Sequence, residues 1–150
     1  MSATFKIAGP ADAELLLGMM REFYECEHIE FVEGDARCAL AQILSDGSLG
    51  RVWLIESGGE VAGYLVLTLG FSLEFKGRDA FVDELFLRAA FRGRGLGRRA
   101  LEFAEAACRG LGVRALHLEV ERANAAAGLL YRRYGFAEHD RHLMTKWIGE

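Results

Sequence analysis

The 150-residue sequence holds a single proline, three cysteines and no apolar run long enough to cross a bilayer. Each shortage excludes something. With one proline there is no Pro-rich tether, and no low-complexity tract or internal repeat accompanies it. Cys26, Cys38 and Cys108 are odd in number and widely spaced, with no CxxC pair. Reduced thiols are therefore expected, rather than a zinc knuckle or a redox pair. Val61 to Phe71 is apolar, but a spanning helix needs about 20 such residues, so no membrane association is expected. No basic segment precedes an apolar one at the N-terminus, so the chain reads as lacking a signal peptide and as cytoplasmic.

A basic excess is missing too. Net charge is -4, whereas non-specific nucleic-acid binding depends on a basic surface, so no nucleic-acid partner is expected. The charges are nevertheless segregated. Glu22, Glu25, Glu27, Glu30 and Glu33 share a stretch without Lys or Arg, and Arg88, Arg92, Arg94, Arg98 and Arg99 share one without an acid. Such segregation suits two binding surfaces of opposite sign.

What is present is the composition of a compact domain, 51% hydrophobic and 27% charged. A chain of this size buries about 68–70% of its unfolded surface. Thr4-Phe5-Lys6-Ile7 alternates as a strand, Gly9-Pro10 breaks it, and Asp12 is placed to start a helix. Leu15, Leu16, Met19, Met20 and Phe23 recur at helical spacing from Ala13 to about Glu25. A second helix is expected from about Asp35 to Leu44. Arg51 to Glu56 and Val61 to Phe71 read as a hairpin around Ser57-Gly58-Gly59-Glu60. After the turn Lys76-Gly77-Arg78, Ala80 to Leu87 is a further strand. Leu96 to Arg109 is a strongly amphipathic helix closed by Gly110 and Gly112. Ala115 to Val120 is a strand and Asn124 to Tyr134 a helix stopped by Gly135. Short strands near Phe136 to His139 and Leu143 to Trp147 end the chain. The order βααβββαβαββ describes a single α/β domain spanning residues 1–150. It carries a mixed, mostly antiparallel twisted sheet of about seven strands with helices on both faces.

The most informative segment is Phe91-Arg92-Gly93-Arg94-Gly95-Leu96-Gly97-Arg98-Arg99, between a strand and a helix. A helix N-terminus offers free N–H groups and partial positive charge to an anion, and glycines admit the ligand to the backbone. Arginines in a first helical turn oppose the dipole by about 0.3–1 kcal/mol each, a cost that a polyanion reverses. The pattern is not GxGxxG, because Arg98 stands where the third glycine would, and no GK[ST] comes after it as in a P-loop.

Arg92-x-x-Gly95-x-Gly97 resembles the acyl-CoA pyrophosphate loop of the GNAT N-acetyltransferase superfamily. The resemblance extends from about Lys6 to Trp147. Asp83-Glu84-Leu85-Phe86-Leu87 is similar to the family's fourth strand, and Asn124 through Tyr131 to Gly135-Phe136 is similar to its N…LY…GF signature. Ala89-Ala90, where the family often has proline, and the helical Gly128 depart from it. The resemblance implies direct attack of a neutral amine on the thioester of acetyl-CoA, with no metal. It implies that the main chain of Leu85, Phe86 and Leu87 pairs with pantetheine, with the Leu85 N–H as oxyanion donor. It further implies that Arg92, Gly93, Arg94, Gly95, Leu96, Gly97 and Arg98 hold the diphosphate, that Asn124 touches pantetheine, and that Tyr131 protonates the departing thiolate. Tyr134, beside Gly135-Phe136, reads as the core tyrosine.

Asp83 and Glu84 are the candidate bases. Alternation puts them on opposite faces, a bulge would change the count, and Glu84 is preferred. The glutamate-rich segment falls where the family builds its acceptor wall, so Tyr24, Glu27, Glu74 and Glu84 are candidate substrate contacts. Resemblance to spermidine/spermine and diamine N-acetyltransferases suggests a small cationic amine as acceptor, with a peptide or protein acceptor and a non-catalytic acyl-CoA-binding module of the same fold as the alternatives, and the family implies a homodimer. His139 and His142, three apart in an expected strand or hairpin, face different ways and suggest no metal site.

Overall fold

The structure, a computed structural model, describes Ser2–Gly149. The chain falls into two compact units, one ending at Leu118 and the other beginning at Glu119. The first contains β1 (Thr4–Ile7), α1 (Ala13–Cys26), α2 (Glu33–Ser45), β2 (Gly50–Ser57) and β3 (Glu60–Ser72). It continues with β4 (Gly77–Leu87), α3 (Leu96–Gly110) and β5 (Ala115–His117). The five strands form one sheet in sequence order, antiparallel from β1 to β4. Only β5 runs parallel to its neighbour, β4. Hairpin turns link β2 to β3 and β3 to β4, α1 and α2 lie between β1 and β2, and the parallel link needs a crossover, here α3.

Strand alternation sends side chains to two faces. Val52, Leu54, Tyr64, Val66 and Phe86 pack with Leu16, Leu17, Met19, Met20 and Leu40 of α1 and α2. Trp53, Ile55, Leu65, Leu67 and Ala80 pack with Leu96, Ala100, Ala104 and Cys108 of α3. The buried stripe of α1 starts at Leu16 and Leu17, while Leu15 is partly exposed. Arg21–Glu33, Arg37–Glu14 and Arg37–Glu33 ion pairs join α1 to α2 and brace α2's first turns.

One irregularity sets which way the end of β4 faces. Across β3 and β4, Glu84 pairs with Val66 and Val82 with Leu67, so Asp83 is an extra residue without a partner. Upstream, Ala80 and Val82 face α3; downstream, Leu85 and Leu87 do, and Phe86 faces α1. Unbroken alternation would have put Glu84 and Phe86 on the α3 side. The bulge reverses the phase.

In the second unit, α4 spans Ala125–Arg133 and Asn124 is its N-cap, accepting from the Ala127 N–H at 3.1 Å. Gly135, at φ 89°, takes the left-handed conformation that ends the helix. The two closing strands expected from the sequence are not formed: among the described residues no strand follows β5. Leu143, Met144, Trp147 and Ile148 are each at least 76% exposed. Without a sheet edge inside this unit to pair with, alternating residues alone do not hold a strand. The observed order is therefore βααβββαβα, with five strands in place of seven.

Candidate active site

Glu84 lies where three elements meet. Its Oε2 accepts the Tyr24 hydroxyl of α1 at 2.5 Å, and its Oε1 accepts the Tyr64 hydroxyl of β3 at 2.7 Å. Aromatic rings wall the carboxylate. Tyr24 meets Phe31 edge-on at 5.5 Å, and Phe23 meets both Tyr64 and Phe86. Burial pushes the Glu84 carboxyl above the ordinary carboxylate range; the two phenol hydrogen bonds pull it down, and the Asp83 charge pushes it up again. Both phenols are held well above their ordinary range, first by burial and then by Glu84, so they remain protonated donors. A carboxylate moved toward neutral pH is suited to accept a proton. Asp83 is raised as well, by the atoms crowding its carboxyl, yet as the bulge residue it is exposed and outside this cluster.

Beside the cluster, and sharing Phe86 with the same aromatic wall, is a cleft of about 290 Å³ lined by Glu22, Glu25, Cys26, Phe86, Ala89 and Arg92. Two expected substrate residues are placed elsewhere. Glu27 caps the end of α1 and is not part of this lining; the cleft's acids are Glu25 and Glu22, about half a turn and one and a half turns earlier on the helix. Glu74 is in the β3–β4 turn. That turn precedes Gly77, and at about 3.3 Å per residue it lies more than about 20 Å along β4 from Glu84. Glu33 is withdrawn from the acidic run by Arg21 and Arg37.

Past Leu87 the chain enters the arginine-glycine loop. The exit is fixed from β3: Arg88 donates its N–H to the Ala62 carbonyl at 2.8 Å and its side chain to the Val61 carbonyl at 3.0 Å. Gly63 faces Leu87 so closely that a Cβ there would lie 1.9 Å from the Phe86 carbonyl oxygen. Gly93 and Gly95 adopt φ of 75° and 78°, a conformation that disfavours any Cβ. Gly95 is the N-cap of α3 and no side chain caps the helix. Gly97 leaves open space where a side chain would begin. The first turn carries Arg98 and Arg99 and no acid. Uncapped amides and left-handed glycines at an arginine-bearing, acid-free first turn together fit a diphosphate.

The Arg92 side chain turns back toward its own strand. Its Nε donates to the Leu87 carbonyl at 2.9 Å and its guanidinium stands over the Phe86 ring at 5.8 Å. The side chain closes the end of β4 and borders the cleft, which leaves its backbone to the loop. Arg94 covers Phe91 at 5.6 Å, and Arg98 pairs with Glu102 on the exposed helix face at 3.7 Å.

The β4 main chain is open as well. β5 pairs only with Asp79–Phe81, so from Val82 onward β4 has no strand partner on that side among the described elements. Leu85 and Leu87 turn their side chains into the α3 core, as expected, leaving backbone at the edge. On α4, Asn124 serves as the cap. It is Tyr131, not Tyr134, whose ring meets Phe136, at 6.1 Å. Tyr64 is hidden from sequence reading in an apolar strand, and its one signal is a single phenol in that run.

Comparison with known proteins gives this geometry a lineage. An uncharacterized N-acetyltransferase of Bacillus subtilis strain 168, YycN, is 36% identical over 63 residues, 42% of this chain and 40% of that protein. The crystal structure of an integron cassette protein from the mobile metagenome of Cole Harbour Salt Marsh is 38% identical and superposes with a TM-score of 0.84, covering 97% of this chain and 91% of that one. A predicted acetyltransferase of Clostridium acetobutylicum, crystallised with acetyl-CoA, shares the fold at 16% identity and a TM-score of 0.80, over 97% and 96% of the two chains. The family model described as the acetyltransferase (GNAT) family matches residues 16–136, and the chain belongs to that family.

Proposed function

We propose that this acetyltransferase moves acetyl from acetyl-CoA directly onto a primary amine of a small, cationic, polyamine-like molecule. The observation that carries the proposal is the placement of Glu84. A bulge turns it out of the core face, two phenols fix it, and it stands about 10 Å of strand before a loop shaped for a diphosphate. The clostridial relative crystallised with acetyl-CoA supports the donor.

Acetyl-CoA supplies an activated acyl group; this chain's residues bind it, polarise it and manage protons. The amides of Gly93 to Arg98 and the start of α3 take the diphosphate. The main chain of Leu85, Phe86 and Leu87 offers hydrogen bonds to an extended arm, and the Leu85 N–H donates to the thioester oxygen as negative charge grows there. Glu84, rather than the exposed Asp83, takes the proton that the amine sheds as it forms the amide. The resemblance gives the proton of the departing thiolate to Tyr131 and a pantetheine contact to Asn124, whose side-chain N–H₂ remains available beyond its capping bond. Glu22 and Glu25 border the cleft and suit the acceptor's remaining ammonium groups.

The test measures free thiol released from acetyl-CoA with spermidine, putrescine, an amino acid, an aminoglycoside and a basic peptide. Spermidine is expected to exceed the amino acid in kcat/KM by about tenfold, one ion pair's worth. Turnover confined to the peptide overturns the acceptor. No heat on titrating acetyl-CoA into the protein overturns the donor.

A further inference from the structure

The base has no cationic partner. Among the described residues no Lys, Arg or His forms an ion pair with Glu84. The groups facing it are Tyr24 from α1, Tyr64 from β3 and Asp83 from its own strand. Arg92, over Phe86, spends its Nε on the Leu87 carbonyl. Burial and Asp83 both favour the protonated, inactive form of Glu84, and only the two phenols oppose them. The phenols are not equivalent. Tyr24 is half-buried at the end of an exposed helix, whereas Tyr64 is 1% exposed. The Tyr64 ring is locked edge-on against Phe23 at 6.4 Å and tilted against Phe86 at 5.9 Å. A hydroxyl that buried needs an acceptor, and Glu84 is the one it has.

We infer that Tyr64, assisted by Tyr24, is a positioning residue that keeps the Glu84 carboxylate ionised and in one rotamer, ready to accept the amine's proton. This rests on Glu84 being the base. Each carboxylate oxygen receives one phenol, which fixes the plane of the group and leaves the remaining lone pairs for the acceptor. Tyr64 is the rigid half of the clamp because β3 and the aromatic packing hold it. Tyr24 is the less buried half. The phenols thus do what a neighbouring cation does elsewhere, without a positive charge that would repel a cationic substrate.

The experiment reads Glu84 directly. Protein labelled with carbon-13 at the glutamate carboxyl is titrated by NMR, the Glu84 resonance being the one lost in Glu84→Gln. In Tyr64→Phe its midpoint is expected to rise by about one pH unit, the effect of one hydrogen bond to a charged group. The acid limb of kcat, with saturating acetyl-CoA and spermidine, is expected to move with it, and the high-pH plateau to stay within about twofold. In Tyr24→Phe, at a half-buried site, the Glu84 midpoint is expected to rise by a smaller amount, and that midpoint alone keeps the test decisive if Tyr64→Phe does not fold by circular dichroism. An unmoved midpoint, or an even loss of kcat at every pH, overturns the positioning role and leaves the base reading standing. Undiminished turnover in Glu84→Gln overturns the base reading instead.

Discussion

The two faces of the central sheet come from the same strands and hold opposite contents. Beneath α3 the buried residues are apolar, from Trp53, Ile55, Leu65 and Leu67 to Leu96 and Ala100. Beneath α1, Tyr64 sits among Leu16, Met19 and Val66 and bonds to a carboxylate. One face excludes water for stability; the other also holds the carboxylate that we propose as the proton acceptor. A single unpaired residue, Asp83, separates these outcomes, because it changes which side chains of β4 each face receives.

Glu84→Gln is expected to lower kcat by about 10²–10⁴-fold while the fold persists. Here the sign of the stability effect is diagnostic. The folded-state pKa of Glu84 is raised, so the ionised carboxylate costs stability above its folded pKa, and the cost fades as pH falls toward the unfolded value. The Gln variant should therefore melt no lower than the parent at pH 7, and its advantage should shrink in acid. Leu65→Ala, a truncation at a fully buried site on the α3 face, should cost about 2–5 kcal/mol, or roughly 4–20 °C in Tm. It should leave the acid limb of kcat in place, which separates the faces by readout. Smallest of all, Glu102→Ala removes an exposed partner of Arg98 and should change stability by less than about 0.5 kcal/mol.

The helices and most strands are legible in the sequence because their signals are local. The stripe through Met19, Met20 and Phe23 predicts α1 to within a residue of its end, and the glycines and arginines mark the turn before α3. Asn124 as a cap and Gly135 as a stop are equally local. The clamp on Glu84 is only half legible. Tyr24 reads as part of the acceptor wall, but Tyr64 is 20 positions from Glu84 in the chain and reaches it through strand register, which composition does not encode. The sequence allows a bulge near Asp83, but whether a strand takes an extra residue depends on its partner. Glu27 and Glu74 share their charge with the right segment or turn and not its geometry. Sequence also cannot show the Arg92 guanidinium folding back to donate to the Leu87 carbonyl of its own strand. The strands expected after Phe136 have the right alternation, but a strand also needs an edge.

Gly63 has a consequence for how such an enzyme changes over time. No side chain of any size fits between β3 and the end of β4, so the height at which the chain leaves the sheet is set by backbone meeting backbone. Residues along α1 that border the cleft are free of that constraint, while the entrance to the loop that we propose for the diphosphate stays where the main chain puts it. On the proposed roles, specificity and donor binding can diverge independently within one small domain.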